Sequence, residues 1–178
     1  MCRLFTLALL AASLGALQGS TLQQLSLDDM IRQSTLIVRG QPELTYSQFR
    51  GSVIYTHFAL QVSKVYKGTA GKQLDLAVPG GMNGGMRQTF AGAPGLANGQ
   101  DYVLFLWTSK TGLTQVIGLS QGLFVVAQDA AGNTIIRRAA ATESMLNAAG
   151  QLVTGSDIQM PLSDLAARIQ SVLAGGGQ

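Results

Sequence analysis

"DYVLFLW", residues Asp101–Trp107, decides the fold class. After Asp101 the run is apolar at consecutive positions, so it offers greasy side chains to both faces of an extended chain. A strand with one wetted face would alternate; this one reads as a strand covered on both sides. On its C-terminal side, "SKTG" joins Trp107 to Leu113 and "DAAGN" joins Gln128 to Thr134. Both links are short and contain glycine, as antiparallel hairpins require. They separate three further strand candidates, "LTQVIG", "GLFVVAQ" and "NTIIRRA".

On the N-terminal side, "TLIVRG" is a compact apolar run ending in glycine. In "IYTHFALQVSKVYKG", Phe58, Leu60 and Val62 face one way, while His57, Ala59, Gln61 and Ser63 face the other. The alternation slips at Lys64-Val65-Tyr66, which predicts a bulge or a strand end. "KQLDLAV" alternates again, with Leu74, Leu76 and Val78 inward. Strands this short and evenly spaced, with little helix between them, indicate an antiparallel barrel or sandwich.

Two helices frame the strands. In "LSLDDMIRQS", Ser26 is placed as an N-cap with Asp29 three residues on, the spacing of a capping box, and Leu25 and Met30 are placed for a hydrophobic staple. A C-terminal helix is expected over 163–174, capped by Ser163 and stopped by Gly175, its apolar stripe of Leu165, Ile169, Val172 and Leu173 packing across one end of the barrel. The stretch from Ala139 to Met160 is weakly patterned and reads as a connector.

"MCRLFTLALLAASLGALQGS" has the layout of a secretory signal peptide: a charge at Arg3, an apolar run, then small residues. The expected division is a signal peptide at 1–19 and a single β domain at 20–178, exported to the periplasm or beyond the cell. Removal of that segment removes Cys2, the only cysteine, so the domain would hold together by packing without disulfides. Twelve Lys and Arg against nine Asp and Glu are scattered along the chain rather than gathered on one stretch, which excludes the basic face of a nucleic-acid binder. No second apolar run is long enough to span a bilayer.

"GLSQG", Gly118–Gly122, fits the G-x-S-x-G pattern of a nucleophile elbow, which needs a strand before the serine and a helix after it. "LFVVAQD" is a poor helix start. The glycines around Ser120 read instead as a corner between two strands. His57, the only histidine, lies on the polar face of its strand and reads as an exposed residue. Ser120 and His57 are the pair a small serine hydrolase would have to use; no catalytic set is assigned. "KTG" at Lys110–Gly112 lacks the S-x-x-K partner of the penicillin-binding set and reads as a turn. No metal-ligand cluster or cofactor motif is present. The loop "VPGGMNGGMRQTFAGAPGLANGQ" has neither the lysine of a phosphate-binding loop nor G-x-G-x-x-G. It reads as a long, irregular crossover, with Met82, Asn83, Met86 and Arg87 at an exposed rim where adaptable methionines can bind a partner. Trp107 reads as a packing residue, and Arg137–Arg138 as a pair of which only one faces solvent freely, on an edge strand.

"STLIVRG", "YTHFALQVSKVYKG", "LDLAVPGG", "NGQDYVLFLW" and "VIGLSQGLF" together resemble a group of uncharacterised exported bacterial proteins, over residues 25–140. That resemblance implies export and brings no catalytic residues. In rhythm, the strand ending in glycine, the strand ending in "YKG" and the later "YVLF" strand are similar to the OB-type barrel of netrin-like and metalloprotease-inhibitor domains. Those domains are cysteine-bonded and inhibit through an amino-terminal cysteine, which this chain lacks after processing. The rhythm therefore implies an OB-like barrel and not inhibition. The expected function is a non-enzymatic exported module that binds a protein or peptide. The alternatives are the serine hydrolase above and a structural part of an envelope assembly.

Overall fold

The computed structural model describes residues 21–176 apart from residue 142; the expected signal peptide and Cys2 lie outside them. In chain order the elements are β1 (Leu22–Gln23), α1 (Leu27–Gln33), β2 (Leu36–Arg50), β3 (Val53–Lys67), β4 (Gln73–Pro79), β5 (Gly81–Asn83) and β6 (Met86–Gln88). There follow β7 (Tyr102–Thr108), β8 (Thr114–Val116), β9 (Leu123–Gln128), β10 (Thr134–Arg138), β11 (Met145–Leu146), β12 (Leu152–Val153), β13 (Ile158–Pro161) and α2 (Leu162–Gly175). The chain is mainly β, with antiparallel sheets and two helices among the described residues.

The principal sheet runs β13-β10-β9-β7-β2-β3-β4, with β8 added on β7. Among the described residues this hydrogen-bonded path is open, so the closed barrel expected from the sequence is not formed by ladder bonds. The weakly patterned stretch after Ala139 is not a plain connector: β13 extends the sheet, and β11 joins β1 and β12 in a small sheet of its own.

Strand β7 separates two apolar clusters. Val103 and Phe105 enter one with Met30, Ile31, Phe124, Ile136, Leu165 and Ile169. Tyr102, Leu104 and Leu106 enter the other with Val38, Phe58, Leu60, Leu76 and Val78. The run of consecutive apolar residues is thus the consequence of burial on both faces, and β2 and β9 share the arrangement. The two helices roof the first cluster. Ser26 caps α1 with a complete capping box, and Lys67 Nζ donates to the last carbonyls, Ile31 O at 2.7 Å and Arg32 O at 2.8 Å. Arg168 of α2 grips Asp28 of α1 through two bonds of 2.8 and 2.6 Å.

Three expectations about α2 change. The helix spans Leu162–Gly175, so Gly175 is its last residue and not its stop, and Gly176 is the C-cap. Its N-cap is Pro161, not Ser163, because proline's fixed φ already turns the chain from β13 into the helix. Leu173 is 39% exposed, so the buried stripe consists of Leu165, Ile169 and Val172. Nor is β10 an edge strand, since β9 and β13 flank it. Arg137 is exposed there, while Arg138 lies over the Phe124 ring at 5.2 Å and donates to Gln121 O.

Strand β2 runs well past Gly40. From Gln41 onward its ladder partner is β3 alone, which is why Pro42, with no N–H to donate, is tolerated there. The expected slip near Lys64–Tyr66 is a bulge: Ile37 pairs with Lys67 and Val38 with Val65, leaving Tyr66 out of register.

Candidate functional site

"GLSQG" forms a 3-10 turn at Leu119–Gly122, after which Leu123 is extended and enters β9. The helix that an elbow needs is not there. Each residue of the motif has a packing role instead. Gly118 and Leu119 adopt the left-handed conformation, φ 60° and 57°. A Cβ at Gly122 would lie 2.8 Å from Ile117 O and 2.9 Å from Phe105 O, so only glycine fits against the central strand. Gln121 is buried and staples the incoming chain: its Oε1 accepts from Leu25 N at 2.9 Å and its Nε2 donates to Gln23 O at 2.9 Å. Ser120 N donates to Gly92 O at 3.0 Å. Its side chain borders a concavity of about 560 Å³ with Arg137, Arg138, Glu143 and Asp157, and His57 is not part of that lining.

His57 is not exposed, contrary to the expectation from its polar strand face: it is 3% accessible. Tyr46 stacks on its ring at 4.6 Å and 10°, which removes it from water. Its Nδ1 lies 2.9 Å from Asp75 Oδ2, and its Nε2 lies 3.3 Å from Gln48 Nε2. The cover comes from β2, which pairs Tyr46 with His57 after a register shift at residue 45. Tyr46, Asp75 and Gln48, which contact the imidazole, are not among the residues lining the concavity that Ser120 borders. Among the described residues no three His, Cys, Asp or Glu gather into a possible metal site.

The glycine-rich loop is more ordered than its composition implies. Its first part is a β-hairpin, with Gly84 and Gly85 at φ 56° and 77° in the two turn positions that demand positive φ. Polar side chains pin the hairpin to the tip of β2–β3. Gln88 Oε1 accepts from Ile54 N at 2.7 Å, Gln88 Nε2 donates to Ser52 O at 2.8 Å, and Asn83 Nδ2 donates to Ser47 O at 2.5 Å. Asn83 is thus an anchor rather than a free contact residue. Met82 and Arg87 form a cross-strand pair, with Arg87 Nη2 3.9 Å from Met82 Sδ.

Met82 is 58% and Met86 53% exposed on this anchored hairpin. The rim also includes residues that the sequence reading passed over. Phe49, at the β2–β3 tip, and Phe90, beside Gly80, are exposed apolar side chains of the same region. Arg50 Nη2 donates to Thr111 O at 2.5 Å, which ties the β7–β8 turn and its Lys110 to the β2–β3 tip. The signal was available in "LTYSQFR", where aromatic and aliphatic residues recur without any acid, but it requires knowing that β2 extends that far.

A second concavity, about 550 Å³, is lined by Trp107, Gln115, Leu22, Leu25, Pro94 and Leu119 among others. Trp107 is 38% exposed at its wall, so its packing is partial. At the other end of β7, Arg39 Nε and Nη2 both donate to Asp101 Oδ2, at 2.9 and 2.6 Å. This bond is what raises the arginine's pKa. Burial pushes the Tyr66 hydroxyl up and the Lys67 ammonium down from their ordinary values.

The chain matches no known protein family, no curated protein and no solved structure. Among the described residues, no helix is long and apolar enough to cross a membrane.

Proposed function

We propose that this chain is an exported, non-enzymatic binding module of the envelope or the extracellular space, which meets its partner at the rim formed by the β5–β6 hairpin and the adjoining strand tips. The observation that carries this reading is the pair of exposed methionines on a hairpin held in place by Asn83 and Gln88. Exposed apolar side chains on a fixed support mark interaction surfaces, and flexible thioethers adapt to their partners. Against catalysis stands the strand that follows Gly122 in place of a helix.

The barrel reading fits this role, because it places all hairpin tips on two opposite rims. It is supported by the approach of β4 to β8, with Cα atoms within 8 Å, across the gap that would close a β4-β3-β2-β7-β8 ring.

The test is deletion of residues 82–86 with the flanking residues joined. Thermal stability should fall only modestly, through loss of the Asn83–Ser47 bond and the short β5–β6 ladder, since the deleted side chains lie outside both apolar clusters, while recovery of partners from envelope and secreted fractions is lost. Unchanged recovery refutes the rim. A fluorophosphonate probe supplies the complementary test: labelling of the wild type that disappears in Ser120→Ala would establish the serine hydrolase instead.

A further inference from the structure

Three glycine turns meet at the rim, and each carries one cation. Arg50 precedes Gly51 at the β2–β3 tip, Arg87 follows Gly84–Gly85 at the β5–β6 tip, and Lys110 precedes Gly112 at the β7–β8 tip. The three tips are one surface. The hydrogen bonds of Gln88 and Asn83 join the second tip to the first, and the Arg50–Thr111 bond joins the third. All three cations are exposed, as are Phe49, Met82 and Met86 beside them.

The three turns themselves carry no acid; the exposed Glu43 lies further back on β2, and the Glu143 carboxyl approaches Gly92 beyond Phe90. Between Leu44 and Gln128 the acidic residues are Asp75 and Asp101. Asp75 sits back along β4 against His57, and Asp101 lies before the far end of β7, held by Arg39. The rim therefore joins apolar side chains to positive charge with no carboxylate among its tips.

We infer that this rim docks onto an anionic membrane surface, with Phe49, Met82 and Met86 entering the interface and Arg50, Arg87 and Lys110 contacting lipid phosphates. The inference rests on the rim being the binding surface and names what it binds. A linear peptide needs a groove or a free edge to follow. Here the cations stand on three separate protruding turns, and the neighbouring concavity of about 270 Å³, behind Gly80 and Phe90, contains none of them. Three separated charges around apolar tips match a broad, deformable, negatively charged surface better than an extended chain. The lipid surface takes the place of the protein or peptide partner expected from the sequence. Such binding combines burial of apolar side chains with attraction to anionic headgroups.

Co-sedimentation with phosphatidylcholine vesicles, with and without phosphatidylglycerol, tests this. The expected result is binding to the phosphatidylglycerol vesicles that weakens with salt and is slight on phosphatidylcholine alone. Each rim cation removed should lower partitioning about fivefold, so R50Q/R87Q/K110Q loses about a hundredfold. M82D/M86D should abolish it. The control K64Q/K72Q/R137Q removes three exposed cations away from the rim and should keep most of the binding; circular dichroism checks that every variant is folded. Absence of vesicle binding overturns the inference, as does equal loss in the two triple variants, or retention on immobilised polyglutamate without vesicle binding. If vesicles fail while the 82–86 deletion still loses its partner from envelope fractions, the rim stands and only the lipid assignment falls.

Discussion

Phe105→Ala probes the claim that β7 serves two cores at once. Phe105 is fully buried and packs against Phe124 with ring centroids 5.5 Å apart at 54°. Phenylalanine-to-alanine changes in cores cost about 3–5 kcal/mol, from lost transfer energy and the cavity left behind. For a domain of this size each kcal/mol lowers Tm by about 2–4 °C, so a fall of about 6–20 °C is expected. Leu104→Ala, next in the strand and facing the other cluster, should cost about 2–5 kcal/mol. Because one strand carries both side chains, both variants should shift the same transition. Urea unfolding followed by helix ellipticity, which reports α1 and α2, and by fluorescence of Trp107, which sits on β7 itself, should give coincident curves for the wild type and both variants. If Phe105→Ala melts the helical signal in a separate early step while the tryptophan transition stays in place, the two clusters are not coupled through β7 and the reasoning fails.

Three further outcomes follow from local features. Ser26→Ala breaks the capping box and should cost about 1 kcal/mol, read as a midpoint shift in urea at unchanged slope. Gln88→Ala leaves the buried Ile54 N–H without its acceptor, for a loss of about 1–3 kcal/mol, and should speed amide exchange throughout the β5–β6 hairpin. Arg168 holds the Asp28 carboxyl below its ordinary value, so its contribution is complete above the unfolded pKa and is lost as pH falls through that value toward the lower folded one. Thermal melts from neutral to strongly acidic pH should therefore show a shallower acid decline in Asp28→Asn than in the wild type.

What could be read directly from the chain was local or strictly periodic. The capping box needs only Ser26 and Asp29, and the double-faced burial of β7 is written in consecutive residues. The bulge near Tyr66 shows as a slip in alternation. What escaped depends on partners distant in sequence or on glycine geometry. His57 is buried because Tyr46 arrives from a strand whose extension through Pro42 looks improbable until its second edge is known to be unpaired. The β5–β6 hairpin rests on Gly84–Gly85 turn conformation and on Gln88 and Asn83 reaching another strand. β11 and β12 are two residues each, too short to show a period, and β13 alternates over only four residues, with Ile158 and Met160 packed on the first cluster. Of the rim, Met82, Met86 and Arg87 were visible in sequence; Phe49, Arg50 and Lys110 joined them only through the tertiary contacts of their turns.

Site-specific photo-crosslinking in the native envelope tests most directly where this molecule makes contact. A photoreactive residue at position 82 or 86 is expected to give strong adducts, with lipid or protein, whereas one at position 159, beside the Ser120 concavity, gives few. Adducts concentrated at position 159 with a silent hairpin would contradict the account.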